Sequence, residues 1–542
     1  MHHGPPRSDA AEDRHFTVDS TALPDSTTVP PTTLGGAYAW YTLALLMLVY
    51  IVNVIDRNIL SILAEDIKAS LQLTDTDLGF LYGTSFAIFF SLFGIPFGRL
   101  ADGWYRGRLI AIGLAFWSVM TSLSGLSRSY ESLTFARIGV AIGESSATPA
   151  AWSLLADIFP RQRRALVNAL YALAAIIGSS LSLPLGGWIA ASWNRAYPGT
   201  GAPLGLAGWQ AAFIAVGAPG LLLAILVFAL REPVRGASDE AVGKDGANKS
   251  TAVVRPSAWR DFATELTRIV PPFTLWSAAR LPGELAKNLI LLAGVSATAW
   301  LLILATGNQA QWIAYGIGVY AIASWVRQLK FRDGETYDLI WGSPTVLMAI
   351  GGFGALAFLT ISLLFWTAPY ALRTFGLGKE EVGLLIGLPT AIAAGAGLLV
   401  GGTLSDFWRA RDRRGRILVS MLSAVLPVPF LVGMMLAPDI STYAIFNFLT
   451  TFTVQLWGAS AVSAMQEFVP ARLRGTIMAT HGLGATMLGS ALGPYVSGKV
   501  ATISGSLQLG IFSALCACPI ALILLWLVCR RLKSQPVEGM AV

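Results

Sequence analysis

The chain runs to 542 residues, of which 54% are hydrophobic and only 13% charged, with a formal net charge of +7. One soluble core cannot hide that much apolar length, so composition excludes a soluble globular protein and implies an all-α polytopic membrane protein. The basic excess is what the cytoplasmic loops of such proteins collect, and it does not argue for a nucleic-acid partner.

The first 37 residues are rich in Pro, Ser, Thr and Asp and read as a disordered cytoplasmic tail with no cleavable signal; nothing near His2, His3 and His15 fixes a metal geometry. Six apolar stretches of roughly 20 residues follow, near 38–63, 78–100, 108–127, 132–156, 164–190 and 209–230, and make one bundle over 38–232. The polar stretch 233–282 is a cytoplasmic linker, in which Trp259 to Val270 reads equally as a short helix on the membrane surface or as solvated chain. Two more apolar stretches, 283–305 and 310–327, meet at the short turn from Thr306 to Ala310 and form an inserted transmembrane hairpin, expected to pack outside the bundles. After a linker at 328–344, stretches near 345–370, 381–404, 416–436, 441–466, 475–500 and 506–530 make a second bundle over 345–531, before a tail at 532–542. The total is about fourteen spans. Cys516, Cys518 and Cys529 all fall in the last stretch, with no spacing for metal or disulfide chemistry.

A charged turn appears twice. Gly98, Asp102, Arg106 and Arg108 close one apolar stretch, and Gly402 and Asp406, followed by Arg409, Arg411, Arg413 and Arg414, close another. The glycines permit close helix approach, and Asp102 with Arg106 is expected to gate the cytoplasmic side by pairing with neighbouring helix ends. The two aspartates lie 304 positions apart (406 − 102), too far for six helices and a modest linker, and the inserted pair accounts for the excess. Arginines recur on alternate loops, which places both termini in the cytoplasm of a multi-pass cell-membrane protein, the inner membrane for a Gram-negative source. The opposite loops carry isolated charges such as Lys68, Arg128 and Arg195.

Ionisable residues deep in a span are expensive and mark function by default. Asp56 lies about 10 Å below the outer surface in the first span, at 1.5 Å per residue. Arg137 sits at a comparable depth in the fourth, and Glu144, two turns on, shares its face. One arginine between two carboxylates leaves a proton to spare; the plainer alternative is a fixed ion pair locking helix one to helix four. Arg57 points to a different face, to snorkel or to pair elsewhere. In the second bundle His481 is the deep titratable group, read as a proton carrier or as a packing residue. Gly178, Pro184, Gly186 and Gly187, and their counterparts from Gly484 to Gly498, serve as packing glue or as a hinge. Walker, HExxH, GxSxG and zinc spacings are absent, so neither a cofactor nor an enzyme is expected.

The two charged turns, the run from Arg137 to Gly143 and Glu144, and the Pro/Gly fifth helices resemble the major facilitator superfamily. More narrowly, Asn53 with Asp56 and Arg57, the Arg137 to Ser146 run, Asp157 with Arg163 and Arg164, Trp366 with Pro369, and Val469-Pro470 leading to His481 resemble its spinster family. The resemblance implies the major facilitator fold, two six-helix halves here joined by two extra helices. It also implies proton-coupled switching at Asp56, Arg137 and Glu144, with Asn53, Arg57 and His481 around a central cavity. The expected function is secondary active transport of an amphiphilic or lipid-like molecule by a monomer, with protons and membrane lipids as its other partners. A small organic anion carrier, or a membrane receptor or channel without turnover, is the alternative.

Overall fold

A computed structural model describes residues 34–198, 201–233, 235 and 256–533. The expected tails, up to residue 33 and from 534, and most of the first linker lie outside the described residues. The first six long helices are α1 (Ala37–Leu71), α2 (Asp75–Ala101), α3 (Arg106–Ser124), α4 (130–158), α5 (Arg164–Ala196) and α6 (Gly208–Phe228). Next come α7 (Ala258–Ile269), α8 (Phe273–Ala279) and the inserted pair α9 (Glu284–Thr306) and α10 (Gln309–Arg332). The last six are α11 (Pro344–Phe375), α12 (Lys379–Arg409), α13 (Gly415–Met435), α14 (440–467), α15 (474–504) and α16 (Leu507–Leu532).

Among the described residues, ten helices are long and apolar enough to cross a membrane. The other four stretches expected to span are α4, α10, α14 and α15. α4 breaks at Ser145 and Ser146, directly after Glu144, and α14 breaks at Gln455, 310 positions later (455 − 145). α15 widens to a π turn over Ala485–Ser490. Such breaks survive in a bilayer only where neighbouring protein satisfies the freed backbone.

The chain crosses between two faces. One carries the turns at 102–106, 159–164, 410–415 and 468–474 and is rich in arginine; the other carries the α1–α2, α3–α4 and α13–α14 turns. Several helices outrun their apolar stretches towards the second face: α1 reaches Leu71, α5 Ala196 and α11 Phe375. Those extra turns bear Glu65, Asp66, Lys68, Arg195 and Arg373, too polar to be read as span.

Apolar burial drives little association among helices already in lipid, so close packing and polar bonds hold the bundles. Gly143 lies against Trp117 and Gly113, and Gly401 against the Leu456 backbone, where a Cβ would clash. The inserted pair turns at Gly307, whose φ of +73° suits glycine. It is not wholly outside the bundles. None of the apolar window of α9 is buried, but α10 lies in the seam between α2 and α15, where Ala321 joins Ile88, Leu92, Met487 and Ala491. At its tip, Asn308 accepts from the Tyr495 hydroxyl (3.1 Å), the Thr306 carbonyl from Lys499 (2.5 Å), and Gln311 from Thr84 (2.7 Å).

Candidate functional site

The first bundle encloses four charged residues in contact. α1 supplies Asp56 and Arg57, one turn on from Asn53; α4 supplies Arg137 and, at its break, Glu144. Asp56, Arg137 and Glu144 are buried, at 0%, 0% and 1% exposure. Thr121 of α3 donates to Asp56 Oδ2 at 3.0 Å, and Arg137 Nη1 donates to the Asp56 carbonyl at 3.3 Å. The ion pair is Arg57 Nη2 to Glu144 Oε2, at 2.8 Å. Asn53, 7% exposed, lies beside Glu144.

This corrects the expected arrangement. Arg57 does not point away: its long side chain reaches across to α4, while Arg137 holds a backbone carbonyl and makes no direct ion pair with either carboxylate. Two arginines and two carboxylates balance, so neutrality needs no additional proton. What stands out instead is unmet hydrogen bonding. Asp56 Oδ1, Glu144 Oε1, Arg57 Nε, and Arg137 Nε and Nη2 are buried without a partner. Five such atoms in one cluster are costly in protein and make it receptive to a proton or a polar ligand group. Arg57 is the accessible member, 36% exposed, with its guanidinium 4.5 Å from the Phe86 ring and 5.1 Å from Phe90. His481 belongs to the other bundle, edge-on to Phe353 and Trp457 with Nδ1 unpartnered, and is not brought to the cluster.

Between Asp56 and the opposite face, the halves are tied together. Arg373 of α11 bridges Glu65 at 2.8 Å and Asp75 at 2.5 Å, Lys379 meets Asp66 at 2.8 Å, and Arg195 meets Glu380 at 2.6 Å. Below them the Ser61 hydroxyl donates to the Phe365 carbonyl at 2.6 Å, and Tyr82 stacks on Phe365 with centroids 4.3 Å apart. Sequence reading missed this set, because partners some 300 positions apart in different bundles share no local pattern. The signal it had was charge persisting past the apolar end of α1 and α11.

On the arginine-rich face, the ion pairs of Arg106 and Arg416 staple helices within each half. Arg106 is fully buried and pairs with Asp157 and Glu232, both at 2.6 Å, while donating to the Ser153 carbonyl at 3.0 Å. Arg416 repeats it: Glu467 at 2.7 Å and the Ser463 carbonyl at 3.1 Å. Both pairs recur 310 positions on (416 − 106 and 467 − 157). Arg106 therefore staples helices of its own bundle. Asp102 is exposed, and Arg235 holds its turn through the Ala101 and Trp104 carbonyls. Arg108 stacks on Tyr105 at 4.3 Å, and Asp406 pairs with Arg416 at 3.2 Å. Gly98 meets nothing within 4 Å, so close approach is not its role; at the second turn the tight contact belongs to Gly401, with Gly402 more loosely set against Ala459.

Between α5, α11, α12 and α14 lies a cavity of about 140 Å³ lined by Leu183, Leu363, Ile386 and Val454, with hydroxyls from Ser179 and Thr360.

A model of the Major Facilitator Superfamily matches residues 46–494. An MFS-type efflux pump of Mycolicibacterium smegmatis is 28% identical over 471 residues, covering 86% of this chain and 85% of that protein. Protein spinster homolog 1 of Xenopus tropicalis is 22% identical over 495 residues, covering 88% and 75%. The crystal structure of a bacterial homolog of the human lysosomal transporter Spinster, inward-facing and unoccupied, superposes with a TM-score of 0.69 at 21% identity, over 93% of this chain and 99% of that one.

Proposed function

The chain belongs to the major facilitator superfamily and is a secondary transporter, and from that premise we propose that it carries an amphiphilic organic molecule by alternating access, coupled to protons at Glu144 and Asp56. The observation that carries the reading is the buried, balanced cluster with five unpartnered atoms. A proton arriving on Glu144 cancels the charge that holds Arg57 at 2.8 Å. Arg57 is then released towards an anionic group of the substrate, and the cluster changes from a lock between α1 and α4 to a binding surface. Phe86 and Phe90 beside it, and the largely apolar cavity by α5 and α12, suit the apolar part of an amphiphile.

Ties at the opposite face and self-contained staples at the arginine-rich face suit a state sealed on one side only. With the arginine-rich face in the cytoplasm, as basic loops favour, this is the inward-facing state. A small organic anion is the second reading, favoured by the partly exposed Arg57 side chain.

Proteoliposomes loaded with a pH-sensitive dye and given a panel of lysophospholipids and organic acids test the proposal. Saturable, substrate-dependent proton movement is expected for the wild type and its loss for Glu144→Gln. Equal proton movement in both proteins would refute coupling at Glu144.

A further inference from the structure

The tip of the inserted hairpin closes a pocket to which both halves contribute. Residues 307–311 form one wall, Asp77 and Phe80 of α2 with Tyr130 of α4 a second, and Tyr495 of α15 a third, around about 230 Å³. α10, 24 residues long, begins in the first wall. The start of a helix presents backbone N–H groups without intrahelical acceptors and a partial positive charge, and both favour an anion. Asn308, at the capping position, turns its side-chain oxygen to the Tyr495 hydroxyl at 3.1 Å and makes no side-chain bond to the first turn.

Gln311 on the same wall points to a ligand independently. It is 1% exposed; its Oε1 accepts from Thr84 at 2.7 Å, but its Nε2 is buried with no acceptor. A buried amide N–H left unmet is uncommon, and here it adds a donor to those of the helix start. The charges on the two sides of the pocket differ in sign. Lys499, one turn on from Tyr495, reaches the Thr306 carbonyl at 2.5 Å beside the start of α10, whereas the α2 wall carries the Asp77 carboxylate, which accepts from the Thr74 N–H and hydroxyl at 2.9 and 2.7 Å. A simple anion would meet that carboxylate; a phosphate with an ammonium a short link away is matched at both ends. Gln309 also opens an apolar groove of about 420 Å³ between α9 and α10, lined by Val295, Ala299, Ile303, Trp312 and Ile317. The groove suits an acyl chain, which selects a lipid over a free phosphate ester.

We propose that this pocket holds a phospholipid whose headgroup carries a primary ammonium, the chemistry of phosphatidylethanolamine. Its phosphate lies at the start of α10 and Gln311 Nε2, its ammonium at Asp77, and one acyl chain in the groove between α9 and α10. Bound there, the headgroup joins the tip of the hairpin to both halves. The site is separate from the Asp56 cluster, and neither reading stands on the other.

Full-length protein stripped of lipid is titrated with dioleoyl phosphatidylethanolamine, dioleoyl phosphatidylglycerol and free phosphoethanolamine, and followed by native mass spectrometry and thermal melting. Phosphatidylethanolamine is expected to bind at least about fivefold tighter than phosphatidylglycerol. Asp77→Asn keeps an acceptor for Thr74 and removes the charge, so that preference should disappear. Ala310→Glu places a carboxylate in the first turn of α10, where the helix dipole favours it. It should weaken both lipids by about fivefold or more, with a lipid-free melting temperature at or above that of the wild type. Equal binding of the two lipids by the wild type, a preference that survives Asp77→Asn, or unchanged affinities in Ala310→Glu overturns the proposal. Stabilisation by free phosphoethanolamine as large as that by the lipid would overturn it too, since the groove would then hold nothing.

Discussion

At Glu144 the geometry separates two effects that one substitution usually confounds. Its Oε2 holds Arg57 and its Oε1 has no partner, so Glu144→Gln removes the charge while keeping shape and one acceptor. A pure lock would lose stability with that charge; a switch would keep its fold and lose its response to pH. We expect the switch: an unchanged elution profile and a melting temperature within a few degrees of wild type. A collapse of expression would identify the ion pair as structural. Arg106 is the opposite case. It is fully buried between Asp157 and Glu232, and Arg106→Ala strands both carboxylates, a loss of about 3–5 kcal/mol for a broken buried pair. Arg416→Ala should cost clearly less, since its side chain is 20% exposed and Asp406 and Glu467 are open to solvent. Melting curves of the two variants check the order, and equal losses would contradict it.

Among elements, the inserted pair and α7 show what residue patterns do and do not reveal. The existence of the hairpin was legible from two apolar stretches and a five-residue turn, whereas Trp259 to Val270 read equally as a surface helix or as solvated chain, and the structure places the helix Ala258–Ile269 there. The docking of neither was legible. Phe262 lies 5.4 Å from Phe97 and Trp259 5.1 Å from Trp104, while Glu265 is pinned by Trp325 at 2.8 Å and by Arg332 at 3.1 Å, contacts with partners beyond any local window. Burial pushes the Glu265 carboxyl up, but the hydrogen bonds from Arg332 and Trp325 and the charges of Arg332 and Arg268 outweigh it and hold it below its usual range. A depressed carboxyl contributes stability above its unfolded value, about 4.3, and loses it as pH falls through the folded value. A nitroxide at Thr267→Cys should therefore stay immobile down to about pH 4 and become mobile at neutral pH in Glu265→Gln; release of wild-type α7 at pH 6 would contradict this.

Deleting 283–327 tests the hairpin itself. Lipid can cover Ile88, Leu92 and Met487 at little cost, so the loss falls on Thr84, Tyr495 and Lys499, whose hydrogen bonds end on it. The shortened chain should stay monodisperse with a lower melting temperature. Aggregation would make the hairpin part of the core, and an unchanged melting temperature would show these bonds to be worth nothing.

For the whole molecule, the architecture was legible from two repeated turns and from apolar length, because both are properties of single stretches of chain. The site was legible only as a set of buried charges. Who pairs with whom depended on the reach of Arg57 across a helix interface, and the ties at the opposite face on residues such as Asp75 and Arg373 that meet only once both bundles are formed. Those ties are where opening must begin. Arg373 answers both Glu65 and Asp75, so Arg373→Ala should shift the population towards a state open at the opposite face, with Lys379→Ala acting in the same direction but less.

Spin labels at Arg128→Cys and Ser441→Cys, one on each bundle at that face, with Cys516, Cys518 and Cys529 replaced by alanine, report this opening directly by pulsed dipolar spectroscopy. The account predicts two distance populations in the wild type whose ratio changes with pH. The longer one should be enriched several-fold in Arg373→Ala, and the ratio should become independent of pH in Glu144→Gln. A single distance that ignores pH in the wild type, or a pH response that persists unchanged in Glu144→Gln, would contradict it.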